Sequence, residues 1–268
     1  MLDTLQKIIA HKQNVEIPAS QAQRNTTDLE AMPHFGRKTH SLSERLREGI
    51  GHGLIAEFKR RSPSKPDIRL GAEVASVAAG YARAGVAGIS VLTDETFFGG
   101  SLHDLAQARE TVSVPLLRKD FVVDAYQVME AKAFGADVVL LIAAVLSPAQ
   151  AQELTATAQE LGLEVLLEIH QAEDMDIYRA APTVDIIGIN NRNLRTFAVD
   201  LEHSRSLAQS LPQDKPRISE SGLNDPRTVR ALQSDGFMGF LIGEYFMRQP
   251  DPGLACQKFI NFLSNDFS

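Results

Sequence analysis

Short apolar runs recur along the chain from Leu54 onward, and each is followed by a longer stretch whose apolar positions have helical spacing. The runs are apolar at nearly every position, which predicts strands buried on both faces of a parallel sheet. The predicted strands are Leu54–Phe58, Gly88–Leu92, Pro115–Arg118, Val138–Ile142, Glu164–Ile169, Ile186–Asn190, Pro216–Ser219 and Met238–Ile242.

The stretches between these runs predict helices, and short glycine turns lead from several helix ends into the next strand. About eight such units predict a (β/α)8 barrel. An open doubly wound sheet is the alternative, but no glycine-rich dinucleotide turn follows the first strand. The predicted helices are Gly71–Ala84, Leu102–Glu110, Ala125–Phe134, Pro148–Leu161, Ala172–Ala180, Leu201–Ser210, Pro226–Gln233 and Gly253–Leu263.

The first 50 residues precede this alternation and predict a helical extension of one barrel domain that spans residues 1–268. Residues 1–14 have the apolar spacing of an amphipathic helix. The polar, mixed segment from Gln13 to Lys38 predicts a surface loop. A further helix is predicted from Ser41 to Glu48, with Ser41 and Glu44 at the spacing of a capping box.

The composition fits a globular protein with a full core, since 44% of the 268 residues are hydrophobic and 23% are charged. A formal net charge of -7 without any basic run argues against nucleic acid as the main partner. The single cysteine, Cys256, excludes an internal disulfide and fits a reducing compartment. No signal peptide is indicated, and the longest apolar run, Val138–Leu146, is too short to span a membrane. We expect a cytoplasmic monomer that acts on a small molecule.

Charged and amide side chains collect at the C-terminal ends of the predicted strands, where a (β/α)8 barrel carries its chemistry. The strand starts are mainly Gly, Pro, Val and Leu. This asymmetry predicts an enzyme. The polar strand ends include Glu57, Lys59, Thr93, Asp94, Lys119, Asp120, Glu168, Asn190, Arg192, Glu220, Ser221 and Glu244.

Lys119 and Lys59 are the candidate acids, and Glu168 is the candidate proton acceptor. A lysine beside carboxylates keeps its charge, whereas one desolvated beside other cations loses it nearer neutral pH, and both states suit work on a carbonyl or hydroxyl. Each of the three is also explained singly as a paired strand-end charge. The seven histidines lack metal-site spacing, so neither a metal nor another cofactor is expected.

The last two strand ends have the features of a phosphate site. Ser221-Gly222 precedes Asn224-Asp225-Pro226, which predicts a helix start, and Gly243-Glu244 follows the eighth strand. Loops after strands seven and eight commonly hold phosphate through backbone N–H groups. We expect the Glu244 backbone to contribute and its side chain to point away.

Several segments together resemble the indole-3-glycerol phosphate synthase family, in its order and from about Leu54 to Met247. They are Ile55-Ala56-Glu57-Phe58-Lys59-Arg60-Arg61-Ser62-Pro63-Ser64, Ile89-Ser90-Val91-Leu92-Thr93-Asp94, Leu117-Arg118-Lys119-Asp120-Phe121, Asn190-Asn191-Arg192-Asn193-Leu194, Ser219-Glu220-Ser221-Gly222 and Leu241-Ile242-Gly243. The resemblance implies decarboxylating ring closure and dehydration of 1-(2-carboxyphenylamino)-1-deoxyribulose 5-phosphate, a step of tryptophan biosynthesis, by a carbon–carbon lyase.

By that resemblance Lys119 is the acid of ring closure, and Glu168 is the acid/base of dehydration. Lys59 either binds the substrate carboxylate or protonates the departing hydroxyl. Glu57 and Asn190 orient Lys59 and the hydroxyls. The implied contacts to the phosphate and polar groups are Ser62, Arg192, Ser221, Gly222 and the backbone of Gly243 and Glu244. The implied walls around the anthranilate ring are Pro63, Phe98 and Phe121.

The chain departs from the family pattern after Lys65, where Pro66-Asp67 stands in place of the usual glycine. Proline narrows the conformations of a loop that is expected to fold over substrate, which bears on loop closure and turnover. Two rival functions remain. Phosphoribosylanthranilate isomerase would share the phosphate loops but need a different acid/base pair, and a silent phosphometabolite-binding barrel would not need Glu57, Lys59, Lys119 and Glu168 together.

Overall fold

Eight parallel strands close into one barrel in the computed structural model of the chain, which describes residues 4–192 and 198–265. Each strand pairs with its sequence neighbour, and the first pairs with the last, Ala56 opposite Ile242. This confirms the predicted (β/α)8 fold. The strands are Leu54–Phe58 (β1), Gly88–Leu92 (β2), Leu116–Lys119 (β3), Val138–Ile142 (β4), Glu164–Ile169 (β5), Ile186–Asn190 (β6), Arg217–Glu220 (β7) and Gly239–Ile242 (β8).

Three strands, β3, β7 and β8, begin one residue later than predicted, and prolines precede two of them, β3 and β7. The carbonyls of Pro115 and Pro216 accept bonds from the N–H groups of Ile89 and Ile187, at 2.9 and 3.0 Å. Proline has no N–H to complete a ladder pair, so the regular strand starts at the next residue. At their other ends, β3 and β7 extend to Lys119 and Glu220, which therefore belong to the rigid sheet.

Helices surround the barrel, and no helix of the described ranges is both long enough and apolar enough to cross a membrane. After each strand the chain returns along the outside. These helices are Val74–Ala84 (α5), Leu102–Thr111 (α6), Ala125–Ala133 (α7), Pro148–Glu160 (α8), Met175–Ala180 (α9), Leu201–Ala208 (α10), Pro226–Ser234 (α11), Glu244–Met247 (α12) and Pro252–Ser264 (α13).

The prediction of a surface loop from Gln13 to Lys38 is largely wrong, because the chain is helical over most of the first half of this segment. Buried Ile17 and Leu29 join the barrel's outer core, and Asn25 starts a helix with a capping box. Few apolar residues mark this segment in the sequence, so its helices depend on tertiary packing. The N-terminal elements are Thr4–His11 (α1), a π-helical turn at Lys12–Glu16, Ile17–Gln23 (α2), Thr26–Glu30 (α3) and Leu42–Arg47 (α4).

The short helix α4 covers the barrel at the strand starts. Leu42 and Leu46 pack into the apolar cluster inside the barrel, where a methyl group on Gly88 would come within 2.8 Å of Leu42. Glu164, at the start of β5, accepts bonds from the N–H groups of Leu42 and Ser43 at 2.8 and 2.9 Å. The N–H groups at the helix start are thus bound to a carboxylate, and the apolar face of the helix packs into the barrel. Among the described residues, α4 therefore closes this end of the barrel.

The Leu46→Ala variant tests this closure. Leu46 is 2% exposed, so its loss leaves a cavity inside the barrel. We expect the free energy of unfolding to fall by about 2–5 kcal/mol, measured by urea unfolding. Leu254→Ala, at a position that is 46% exposed, is the control and should change stability little. Equal losses in the two variants would contradict the role given to α4.

Candidate active site

A cavity of about 660 Å³ opens at the C-terminal ends of the strands. Every residue predicted above for catalysis or substrate binding lines this one cavity, although the residues are spread along the chain. They are Glu57, Lys59, Ser62, Pro63, Phe98, Lys119, Phe121, Glu168, Asn190, Arg192, Ser221, Gly222, Gly243 and Glu244. The structure thus brings the predicted residues together, while their individual roles remain predictions.

At the bottom of the cavity the ammonium of Lys119 lies between two buried carboxylates. Its Nζ donates to Glu168 Oε2 at 2.9 Å and lies 3.5 Å from Glu220 Oε2. Glu168 also accepts bonds from His170 Nε2 at 2.8 Å and Asn190 Nδ2 at 3.2 Å. The carboxylate of Glu168 therefore has more donors than that of Glu220, which favours ionisation of Glu168.

The three residues of this cluster, Lys119, Glu168 and Glu220, differ in the direction of their pKa shifts. Burial alone would lower the pKa of Lys119, but Glu168 and Glu220 outweigh burial and raise that pKa, so the ammonium stays charged. Burial would raise the pKa of Glu168, but Lys119 and His170 bring it well below its ordinary value. For Glu220, burial together with the charge of Glu168 exceeds the effect of Lys119 and raises the pKa to about 8. Near neutral pH the cluster of Lys119, Glu168 and Glu220 therefore holds one cation, one anion and one protonated acid.

Two glycines make room for these carboxylates. A methyl group on Gly188, in β6, would lie 2.5 Å from Glu220 Oε1. A methyl group on Gly243, just after β8, would lie 2.4 Å from Glu57 Oε1. Gly243 is predicted for the phosphate loop. In the structure, the absence of a side chain at Gly243 also leaves space for the Glu57 carboxylate.

Lys59 forms a second ion pair beside this cluster. Its Nζ lies 2.5 Å from Glu57 Oε1, and its side chain is 18% exposed at the cavity wall. Glu57 is buried and faces inward from β1. The second ammonium is therefore held in place while its outer side stays accessible to a ligand.

Two aromatic rings form one wall of the cavity. The centroids of Phe98 and Phe121 lie 5.9 Å apart with an interplanar angle of 41°. Both rings line the cavity, as does Pro63 from the loop after β1. This wall suits a planar apolar group. Lys119 stands two residues before Phe121 in the sequence, and both residues line the same cavity.

The opposite wall presents backbone in unusual conformations. Ser221 and Gly222 have φ angles of 70° and 79°, and the first is in a region that non-glycine residues rarely occupy. A methyl group on Gly222 would lie 2.3 Å from Val199 Cγ1. Asp225 then caps α11 by accepting from the N–H of Arg227 at 2.9 Å. Strain of this kind persists where the surrounding structure imposes it and is typical of functional sites.

The loop after β1 lies over the cavity near Glu244. Ser62 and Lys65 exchange backbone bonds of 2.8 and 3.0 Å, which close a tight turn just before Pro66. Lys65 donates to the Glu244 carboxylate, and Arg248 lies 3.6 Å from the same group. The Glu244 side chain is thus neutralised by neighbouring cations.

Sequence reasoning missed Glu220 as a candidate, although the residue stands at a predicted polar strand end. The feature of the sequence that indicates Glu220 is an acid at the last position of a strand, directly before Ser221-Gly222. What the sequence could not give is the 3.5 Å approach to Lys119 from β7. The predicted motif residues Asn193 and Leu194 lie outside the described residues.

Comparisons with known proteins indicate the family to which the chain is similar. The family model of indole-3-glycerol phosphate synthase matches residues 5–259. The chain is 48% identical over 269 residues to indole-3-glycerol phosphate synthase of Bacteroides thetaiotaomicron, with 98% of this chain and 100% of that protein covered. Identity to the protein of the same name from Bordetella pertussis is 41% over 263 residues, with 97% and 100% covered.

Among solved structures, thiamine phosphate pyrophosphorylase from Pyrococcus furiosus is similar, with a TM-score of 0.59 and 16% sequence identity. The match covers 84% of this chain and 100% of that one, and it shows the barrel fold alone. The family model and the two full-length relatives go further. From them it follows that the chain belongs to the indole-3-glycerol phosphate synthase family.

Proposed function

We propose that this chain catalyses the decarboxylating ring closure of 1-(2-carboxyphenylamino)-1-deoxyribulose 5-phosphate to indole-3-glycerol phosphate, carbon dioxide and water, in tryptophan biosynthesis. Family membership supports the reaction. The observation that carries the mechanism is the charged Lys119 between Glu168 and Glu220, beneath an aromatic wall and opposite strained backbone. No cofactor is needed, because loss of carbon dioxide restores the aromatic ring.

In the first step the ring carbon that bears the carboxylate forms a bond to the ribulose carbonyl carbon. The carbonyl oxygen gains negative charge and takes a proton from Lys119. The bond between the ring carbon and its carboxylate then breaks, carbon dioxide leaves, and the electron pair of that bond restores the aromatic ring. Because its carboxylate neighbours keep Lys119 charged, the acid is ready before substrate binds. A positioned acid contributes about 10²–10⁴-fold to such a step. Phe98 and Phe121 hold the ring over the carbonyl, which keeps the reacting atoms close.

In the last step the new hydroxyl leaves as water, and the neighbouring carbon loses a proton to complete the indole. Glu168 is the acid/base of this dehydration, and its bond from Asn190 fixes the direction of the carboxylate. Lys59, held by Glu57, either protonates the hydroxyl or binds the substrate carboxylate. Glu220, protonated near neutral pH, is a second proton donor at the same place.

The phosphate lies against the strained wall. Ser221 and Gly222 line the cavity and have positive φ angles, and backbone N–H groups in such left-handed turns can form an anion-binding site. Because the phosphate is remote from the reacting carbons, its binding energy can position the ring. The groups proposed to contact the phosphate and other polar parts of the substrate are Ser62, Arg192, Ser221, Gly222 and the backbone of Gly243 and Glu244.

The proposed setting is the cytoplasm, where the enzyme works as a monomer on a small phosphorylated substrate. The single, buried Cys256 supports a reducing compartment. Nucleic acid is disfavoured as a partner by the net charge of -7. The absence of a candidate membrane-spanning helix in the described ranges agrees with a reaction away from the bilayer.

The Lys119→Ala variant tests the mechanism through the fluorescence of indole-3-glycerol phosphate formed from the substrate. We expect turnover to fall at least about a hundredfold while substrate still binds, because the lost proton donor acts in the transition state. Lys132→Ala is the control: Lys132 is also buried, but it donates to the Arg37 carbonyl outside the cavity. An active Lys119→Ala enzyme would overturn the assignment.

The Glu220→Gln variant tests the proton placement through stability. In the folded wild type Glu220 keeps its proton up to about pH 8, whereas its ordinary pKa is 4.5. This contribution to the free energy of unfolding is fully present below pH 4.5 and is lost as the pH rises through about 8. We therefore expect the stability of Glu220→Gln relative to wild type to increase between these pH values and then to level off.

Urea unfolding at a series of pH values measures this difference. Glu160→Gln, at an exposed position on α8, is the control and should track wild type. A difference between Glu220→Gln and wild type that stays constant from pH 4.5 to 8 would show that Glu220 is ionised throughout.

A further inference from the structure

A second buried ammonium, that of Lys12, lies outside the machinery described so far. Lys12 is 1% exposed, although it belongs to the N-terminal extension rather than to the barrel. Its Nζ lies 3.0 Å from Asp94 Oδ2 and 2.8 Å from Asp120 Oδ1, and it also contacts Glu16. A charge is buried this completely only when it is paired, so the N-terminal segment is bound to the ends of β2 and β3.

Both aspartates also accept hydrogen bonds from backbone N–H groups of the loop segments that carry the two rings of the aromatic wall. Asp94 Oδ1 accepts from the N–H groups of Phe97 and Phe98, at 2.7 and 3.1 Å. Asp120 Oδ1 accepts from the N–H of Phe121 at 2.8 Å. The carboxylates that pair with Lys12 thus fix the two loop segments that carry the Phe98 and Phe121 rings.

The same lysine anchors the helix that borders the cavity. Leu5 and Ile8, on α1, line the cavity one to two turns before Lys12. His11 bonds Thr96 at 3.0 Å, and its ring packs edge-on against Phe97 with centroids 5.7 Å apart. Lys12 opens a π-helical turn, a distortion often found at functional sites.

We propose that Lys12 is a positioning residue that sets the aromatic wall for the ring of the substrate. This inference rests on the proposed function, because that function gives the wall its ligand. Lys12 acts through Asp94 and Asp120 on the Phe98 and Phe121 backbones, and it does not touch the substrate. Loss of Lys12 should therefore lower the affinity of the site for the substrate ring and leave the affinity for the phosphate unchanged.

A purely structural role predicts a different result. If Lys12 only attached the N-terminal segment to the barrel, its loss would lower the free energy of unfolding. The affinity for the two ends of the substrate would then fall equally or not at all. The two roles separate when the ends are probed independently. Anthranilate represents the ring end, and glycerol 3-phosphate represents the phosphate end. The chain has no tryptophan, so anthranilate fluorescence is read without that background.

The experiment compares wild type, Lys12→Met and Lys132→Met. Methionine keeps the length of the side chain and removes its charge, and Lys132 is a buried lysine outside the cavity. Anthranilate affinity is measured by fluorescence titration, and glycerol 3-phosphate affinity by calorimetry. For Lys12→Met we expect about tenfold or greater loss for anthranilate and less than about twofold change for glycerol 3-phosphate. Lys132→Met should match wild type with both probes.

Asp94→Asn is the second variant, for use if Lys12→Met does not fold. The amide keeps an oxygen for the Phe97 and Phe98 N–H groups but loses the charge that faces Lys12. It should show the same selective loss for anthranilate, smaller in size. Equal loss with both probes, or no loss with either, would overturn the inference.

The wild-type activity assay separates this inference from the proposed function. If wild type forms no indole-3-glycerol phosphate, the proposed function fails irrespective of the Lys12 variants. If wild type is active and Lys12→Met binds anthranilate as Lys132→Met does, only the inference fails.

Discussion

The arrangement of the site depends on one ammonium shared by two buried acids. Lys119 is held at 2.9 Å by Glu168 and faces Glu220 at 3.5 Å, in a space where burial penalises every charge. One cation cannot satisfy two full carboxylates there, so Glu220 keeps a proton. Near neutral pH the three residues thus present an ammonium, a carboxylate and a protonated carboxyl group to one cavity, which suits the proposed ring closure and dehydration.

The barrel makes this arrangement possible because each residue comes from the end of a different strand. Lys119, Glu168 and Glu220 end or nearly end β3, β5 and β7, so rigid backbone sets their separation. Gly188 supplies the space for the Glu220 carboxyl group, and α4 closes the other end of the barrel. Apolar packing thus closes one end of the barrel, and the Lys119 cluster lies at the other end, where the cavity opens.

Much of the fold and site could be predicted, because continuous apolar runs mark buried parallel strands and polar residues mark their C-terminal ends. The C-terminal strand ends alone predict that Glu57, Lys59 and Glu168 lie at one site. Two features could not be predicted. The extension around Ile17 is helical through packing on the barrel, and Lys12 meets Asp94 and Asp120 only in three dimensions. Pairing between distant elements leaves no local pattern in a sequence.

The most direct test of the shared-proton cluster is the carboxyl carbon NMR titration of the enzyme labelled with ¹³C at glutamate Cδ, with Glu168→Gln and Glu220→Gln spectra for assignment. The account predicts that the Glu220 signal titrates with a midpoint near 8 and that the Glu168 signal stays in its ionised position from neutral pH down into the acid range. Because the groups are coupled, the Glu168 shift should respond weakly as Glu220 ionises. Two carboxylates that are both ionised at pH 6 would contradict the account.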